Sequence, residues 1–131
     1  MKIISPRGGS AHEALERIRR DYPLGLHGVG LSLASADVLD KNHLPALRHL
    51  IERHEPTLVS EHICWGAIGG RHLHDPLPLP YTEEALHLMI ARVSQAQETL
   101  GCQLLLETCP AICAFAQRNA RVGVRLPIGS T

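Results

Sequence analysis

Apolar residues follow two rhythms along this chain. In "LGLHGVGLSL" (24–33), "TLVSEHICW" (57–65) and "CQLLLET" (102–108) they form short, nearly continuous runs, the signature of buried strands. Between those runs they recur at three- and four-residue intervals, the period of an amphipathic helix. Leu44, Leu47, Leu50 and Ile51 share one face of a helix predicted over 42–56, with Pro45 in its first turn and Pro56 closing it. Leu86, Met89, Ile90, Val93, Ala96 and Leu100 form the stripe of another. Thr82 stands as its N-cap, Glu83 and Glu84 occupy its positive first turn, and Gly101 ends it. Ser10 and Glu13 make a capping-box pattern before Ala14, Leu15 and Ile18, predicting a further helix that Pro23 closes. Residues 66–81, "GAIGGRHLHDPLPLPY", are dense in Gly and Pro and are predicted to be a loop.

The order is therefore helix, strand, helix, strand, loop, helix, strand. Continuous apolar strands alternating with amphipathic helices predict a parallel sheet with helices outside it. Each strand ends in polar residues: His27 in the first, Glu61 and His62 in the second, Glu107 in the third. Parallel strands point their carboxyl ends the same way, and neighbours lie about 4.8 Å apart. His27, His62 and Glu107 can therefore meet at one centre. Two imidazoles and a carboxylate with open positions suit Fe(II), and zinc accepts the same donors. The plain alternative is a set of hydrogen-bonded core side chains. Adjacent side chains alternate between faces, so Glu61 and His62 cannot both point inward. His62 is assigned as ligand and Glu61 as a support or helix-cap partner.

The remaining candidates are weaker. His72 and His74 form an H-x-H pattern in the predicted loop, which places His74, with Asp75, as a possible support to the centre. Asp75 before Pro76 is most simply a turn residue. His12, His43, His49, His54 and His87 fall on helices and are expected to be solvated or at edges. Cysteines 64, 102, 109 and 113 form no C-x-x-C pair and are read as thiols without a framework. No catalytic residue is assigned: neither a phosphate loop nor a nucleophile elbow is present.

Charge and hydropathy narrow the classes further. Thirteen basic and thirteen acidic residues balance, so no field favours nucleic acid or an anionic membrane. No apolar run approaches the roughly 18–20 residues of a membrane span. "MKIISPRGGS" lacks the apolar core of a secretory signal, which points to the cytoplasm. Aromatic residues make up 3% of the 131, fewer than a complete domain usually buries.

Three stretches together, "YPLGLHGVGLSLASAD", "LVSEHICWGAIGGRHLHDPLPLPYTEEAL" and "LLLE", resemble the DUF692 family, also called UPF0276. "LHGVGLSL", "SEH-x-x-W" and "LPLPYTEEAL" in this order are specific in combination, and the likeness runs from about residue 10 to Glu107. The resemblance implies a TIM barrel and a multinuclear non-haem iron oxidase holding two or three ions. It also implies a peptide substrate: such enzymes modify cysteines of ribosomally made peptides, usually with a peptide-presenting partner protein, as in methanobactin biosynthesis. The family's motif histidines correspond to His27 and His62 and its strand-end glutamate to Glu107. That acid would be a bridging ligand, since a carboxylate has two oxygens to share.

A full (β/α)8 barrel typically takes about 250 residues. The expected fold is therefore α/β, a partial TIM barrel of about three parallel strands with flanking helices, in a domain spanning 1–107. The family pattern includes a strand before residue 10 and further strands after Glu107, and neither is expected here. Residues 108–131 depart from it: where relatives resemble "N-x-S-S-Y-L-R-F", this chain has "TCPAICAF". Codons for that octapeptide can be chosen so that a one-base shift yields Asn-Val-Ser-Ser-Tyr-Leu-Arg-Phe, and the tail is expected to be out-of-frame translation. Two alternatives to a fragment of an iron oxidase stay open. One is an inactive truncated product with a residual metal-binding or partner surface. The other is another metal-dependent TIM-barrel enzyme of isomerase or endonuclease type.

Overall fold

The computed structural model describes residues 9–108, without the side chain of His74. The proposed out-of-frame tail, with Cys109 and Cys113, lies outside the described residues apart from Thr108. The elements run α1 (Ser10–Asp21), β1 (Gly25–Gly28), α2 (His43–His54), β2 (Leu58–Ile63), β3 (Trp65–Ile68), β4 (Arg71–Leu77), α3 (Glu83–Leu100) and β5 (Leu104–Thr108). The protein is mixed α/β. A three-stranded sheet has the order β1-β2-β5, with both pairings parallel. Strands β3 and β4 form a separate antiparallel hairpin.

Helix α2 carries the chain from β1 to β2, and α3 carries it from the hairpin to β5. Both cover the same face of the sheet. Val59 and Leu104 are buried in a core with Leu31, Leu33, Leu39, Leu44, Met89, Ala96 and Leu100, against which Leu26, Ile63 and Leu106 also pack. Side chains alternate along each strand, so the register places Gly25, His27, Leu58, Ser60, His62, Leu105 and Glu107 on the opposite face. There Leu58 and Leu105 are 45% and 56% exposed, while Val59 and Glu61 on the helix side are 4% and 1% exposed.

The helix ends follow local chemistry. Thr82 accepts a hydrogen bond from the Ala85 amide at the start of α3, and Gly101 closes it at φ 73°. Ile90, included in the expected stripe, is 43% exposed; Met89, Ala96 and Leu100 are the buried members. Helix α2 ends at His54, with Glu55 left-handed before Pro56.

Three expectations need correction. The capping box at Ser10 does not form: the helix starts one residue earlier, because Gly9 takes φ 124° and its carbonyl accepts from His12 and Glu13. The 66–81 segment is not simply a loop. Gly69 and Gly70, at φ 58° and 73°, supply the two positive angles that a tight hairpin turn between β3 and β4 requires. Pro76 is accommodated because it sits in a two-stranded ribbon near a register shift. Asp75 is thus an exposed strand residue, not a turn residue. Finally, His12 and His54 are fully buried rather than solvated, their rings stacked at 5.2 Å between α1 and α2.

Candidate metal centre

The parallel register alone brings three chemical side chains together. His27 pairs with Ser60, and His62, two residues further along β2, pairs with Glu107. All four lie on the face away from the helices, at the carboxyl ends of their strands. Their side chains converge: His27 Nε2 lies 3.1 Å from His62 Nε2 and 3.7 Å from a Glu107 carboxylate oxygen. One donor atom from each of the three lies within 4.8 Å of the others. The imidazole rings meet edge to face at 4.6 Å between centroids.

Two of these separations, 3.1 and 3.7 Å, are close to those of donors sharing one ion. Ligand atoms each about 2.1 Å from a metal lie about 3–3.6 Å apart across angles of about 90–120°. Two nitrogens and one oxygen, with solvent on the remaining side, make an open three-donor set of the kind that suits a redox-active or Lewis-acidic cation. His27 and Glu107 are 38% and 61% exposed at their side chains, so the centre is reached from the open face. His62 is partly buried, and its Nδ1 is buried with no hydrogen-bond partner among the described residues.

Glu61 points the other way. Its carboxylate is buried under the loop that follows β1, where it accepts from the Leu31 amide at 3.4 Å and the His62 amide at 3.1 Å. Burial pushes its carboxyl above the ordinary value, while backbone N–H groups of His62, Leu31 and Gly30 and the charge of His27 pull it back down. Through the Leu31 amide Glu61 holds the loop that follows β1. Gly28 makes room for it: a Cβ there would lie 2.4 Å from the Glu61 oxygen.

The same loop is tied to the hairpin. The Ser32 hydroxyl accepts from the Gly66 and Ala67 amides at 2.8 and 3.1 Å, and the Ser35 hydroxyl donates to the Ala67 carbonyl at 2.6 Å. Trp65 donates to the Pro78 carbonyl at 3.0 Å. Loop and hairpin both leave the carboxyl ends of their strands, on the same side as the three donors. Asp75 is exposed on β4 and is not one of the clustered donors, and His74 lies on the same strand.

Ser60 was not singled out from the sequence as part of the site, yet its Oγ lies 2.8 Å from His27 Nδ1. The signal was present: a residue two positions before His62 in a strand must share its face. A shallow cleft lined by Arg19, Tyr22, Pro23, Glu55 and Thr57 sits at the amino ends of the strands, away from this chemistry.

Comparison with known proteins identifies the family of the chain. Residues 3–121 match the family described as RiPP precursor modification enzyme MbnB/TglH/ChrH. A UPF0276 protein of Anaeromyxobacter sp. is 50% identical over 108 residues, covering 82% of this chain and 38% of the relative. UPF0276 proteins of Acaryochloris marina and Rhizorhabdus wittichii are 48% and 44% identical, over 86% and 82% of this chain and 41% and 39% of their own lengths. The chain thus spans about two fifths of these relatives. On this likeness, the chain belongs to the UPF0276 family, and it matches the family described as RiPP precursor modification enzyme MbnB/TglH/ChrH.

Proposed function

We propose that His27, His62 and Glu107 hold a metal, and that this chain is part of a (β/α)8-barrel, iron-dependent oxidase acting on cysteines of a ribosomally made precursor peptide. The observation that carries the reading is the convergence of three donors from three adjacent parallel strands at their carboxyl ends. The matched family supports the peptide as substrate. A separate protein presenting that peptide is part of the proposal.

Bound iron would supply the redox chemistry. His27 and His62 would hold it through Nε2, the atoms that face each other. Glu107 would add a carboxylate whose second oxygen remains available to a further cation. The open side of the centre is where a peptide would approach, with exposed Leu105 two residues before Glu107 on the same face. In this reading the barrel domain covers 1–107.

A second reading has one observation in its favour. Three donors, two of them well exposed, can retain a cation without completing a reactive centre. The chain would then be a residual metal-binding surface rather than an enzyme.

Anaerobic titration of the purified chain with Fe(II), followed by iron analysis, tests the ligand set. We expect stoichiometric binding that Ala replacement of either His27 or His62 removes. Iron content unchanged in both variants would overturn it. Incubating the loaded chain with a Cys-containing precursor peptide and O2 separates the two readings: a change in peptide mass supports the oxidase, and unaltered peptide supports the residual surface.

A further inference from the structure

We propose that the outer edge of β4 is a docking strand for the precursor peptide, which adds to the hairpin in extended form through main-chain hydrogen bonds. As to what docks, this rests on the peptide-modifying reading above; that the edge is open does not.

The two edges of the hairpin are not alike. On β3 the Ala67 N–H donates to the Ser32 hydroxyl at 3.1 Å, and the Ala67 carbonyl accepts from the Ser35 hydroxyl at 2.6 Å. The Gly66 N–H also ends on Ser32, at 2.8 Å. The loop after β1 therefore seals that edge.

The same bonds fix the direction of the other edge. Ala67 is the register partner of His72. In an antiparallel ladder, residues opposite each other either exchange both bonds or turn both away. Ala67 spends its N–H and carbonyl on the loop, so this pair is of the second kind. The His72 N–H and C=O therefore point out of the far edge of β4. Among the described residues, no hydrogen bond from another element meets either group.

Further features fit an added strand. Arg71, His72, Leu73, Asp75 and Pro76 are all exposed, so β4 is uncovered among the described residues. Pro76 has no N–H to leave unpaired, and proline in a sheet belongs on free edges. Strand β3 begins at Trp65, just past His62, so the hairpin stands on the side of the three donors. Ile68 and Arg71 share one face as register partners. Ile68 is 46% exposed, and Arg71 has no ion pair among the described residues. That face suits a segment carrying an apolar residue beside a carboxylate. In strand addition the main chain supplies affinity and the side chains specificity. Ser32 and Ser35 hold β3 in place beforehand, so the cost of ordering falls on the peptide alone.

Amide exchange and fluorescence anisotropy on the full, metal-free chain test the assignment. The probe is a labelled synthetic peptide of about six residues, the usual strand length, with alternating Val and Thr, one Cys and one Asp. It should slow exchange of the His72 amide. Methylating every second peptide nitrogen should weaken binding by about fivefold in one phase of the alternation and not in the other. His72→Ala keeps the amide and should bind like the unaltered chain. His72→Pro removes an N–H that lies outside the hairpin ladder, so the far-UV spectrum should be unchanged while binding falls by about fivefold. If His72→Pro loses its fold, the N-methyl series decides alone. Absence of probe binding, equal binding by His72→Pro, or an equal loss in His72→Ala and His72→Pro overturns the proposal. So does His72 protection that rises with protein concentration in the absence of peptide, which would give the edge to a second copy. If the probe docks as stated but the chain neither holds iron nor alters a peptide, the oxidase reading fails and the docking strand stands. If the iron-loaded chain alters a peptide and His72→Pro does so equally well, the reverse holds.

Discussion

Gly28 and Glu61 act as one mechanical unit at the tip of the sheet. The carboxylate lies where a side chain at position 28 would begin, with 2.4 Å between a Cβ and its oxygen. Glu61 cannot withdraw without abandoning the Leu31 amide that it holds inside the fold. Gly28→Ala is therefore expected to destabilise the chain by about 1–3 kcal/mol, the usual cost of overpacking. Urea denaturation measures the loss. The same variant should weaken Fe(II) binding, because Gly28 follows His27 in β1 and any shift of the strand end moves that ring. Stability unchanged within error would show that Glu61 has room to move.

At the scale of elements, α1 is held to α2 in an unusual way. Its one fully buried side chain is His12, which contacts His54 across a 2.9 Å gap between ring nitrogens. Around this pair stand Glu16 and Arg19 of α1 and Arg53 of α2. Burial, and after it the neighbouring charges of His12, Arg53 and Arg19, hold the His54 imidazole below its ordinary 6.5, opposed by Glu16. The sign follows from proton uptake. Below 6.5 the unfolded chain protonates His54 before the folded chain does, so unfolding gains protons. Stability from this group is complete above 6.5 and declines as pH falls towards the folded value. Urea midpoints measured from about pH 8 down to about pH 5 should fall, and His54→Gln should flatten that part of the profile. The Glu16–Arg53 pair is exposed and contributes little. A profile unaltered by His54→Gln would move the pH dependence elsewhere.

At the scale of the whole molecule, the sheet is covered on one side only among the described residues. Helices cover Val59, Leu104 and their neighbours, while Leu58 and Leu105 lie exposed on the face that also carries the three donors. Strands β1 and β5 are both sheet edges among the described residues, each offering unpaired backbone groups to another strand. Relatives more than twice as long as the matched segment have additional chain with which to cover such a face. We expect the isolated chain to self-associate with rising concentration, and the double variant Leu58→Lys, Leu105→Lys to shift it towards monomer. Light scattering across a dilution series reads this directly. A monodisperse monomer at all concentrations in the unaltered chain would mean that the face is satisfied within the molecule.

Much of this was legible in the amino-acid order. The period of apolar residues located three helices and three parallel strands, and the polar residues ending those strands picked out His27, His62 and Glu107. Hydrophobic periodicity reports which side of an element is buried, and parallel strands share a direction, so local pattern was enough. It could not decide the hairpin at 65–77, because Pro76, Pro78 and Pro80 hid the Gly69–Gly70 turn signal. Nor could it find the burial of His12 against His54, since each looks like a surface histidine until two helices meet. The roles of Ser60 and Glu61 were decided by register: pairing His27 with Ser60 and His62 with Glu107 puts one neighbour against an imidazole and the other beneath a loop. Residue types and spacing follow from sequence; which atoms face each other depends on how distant strands align.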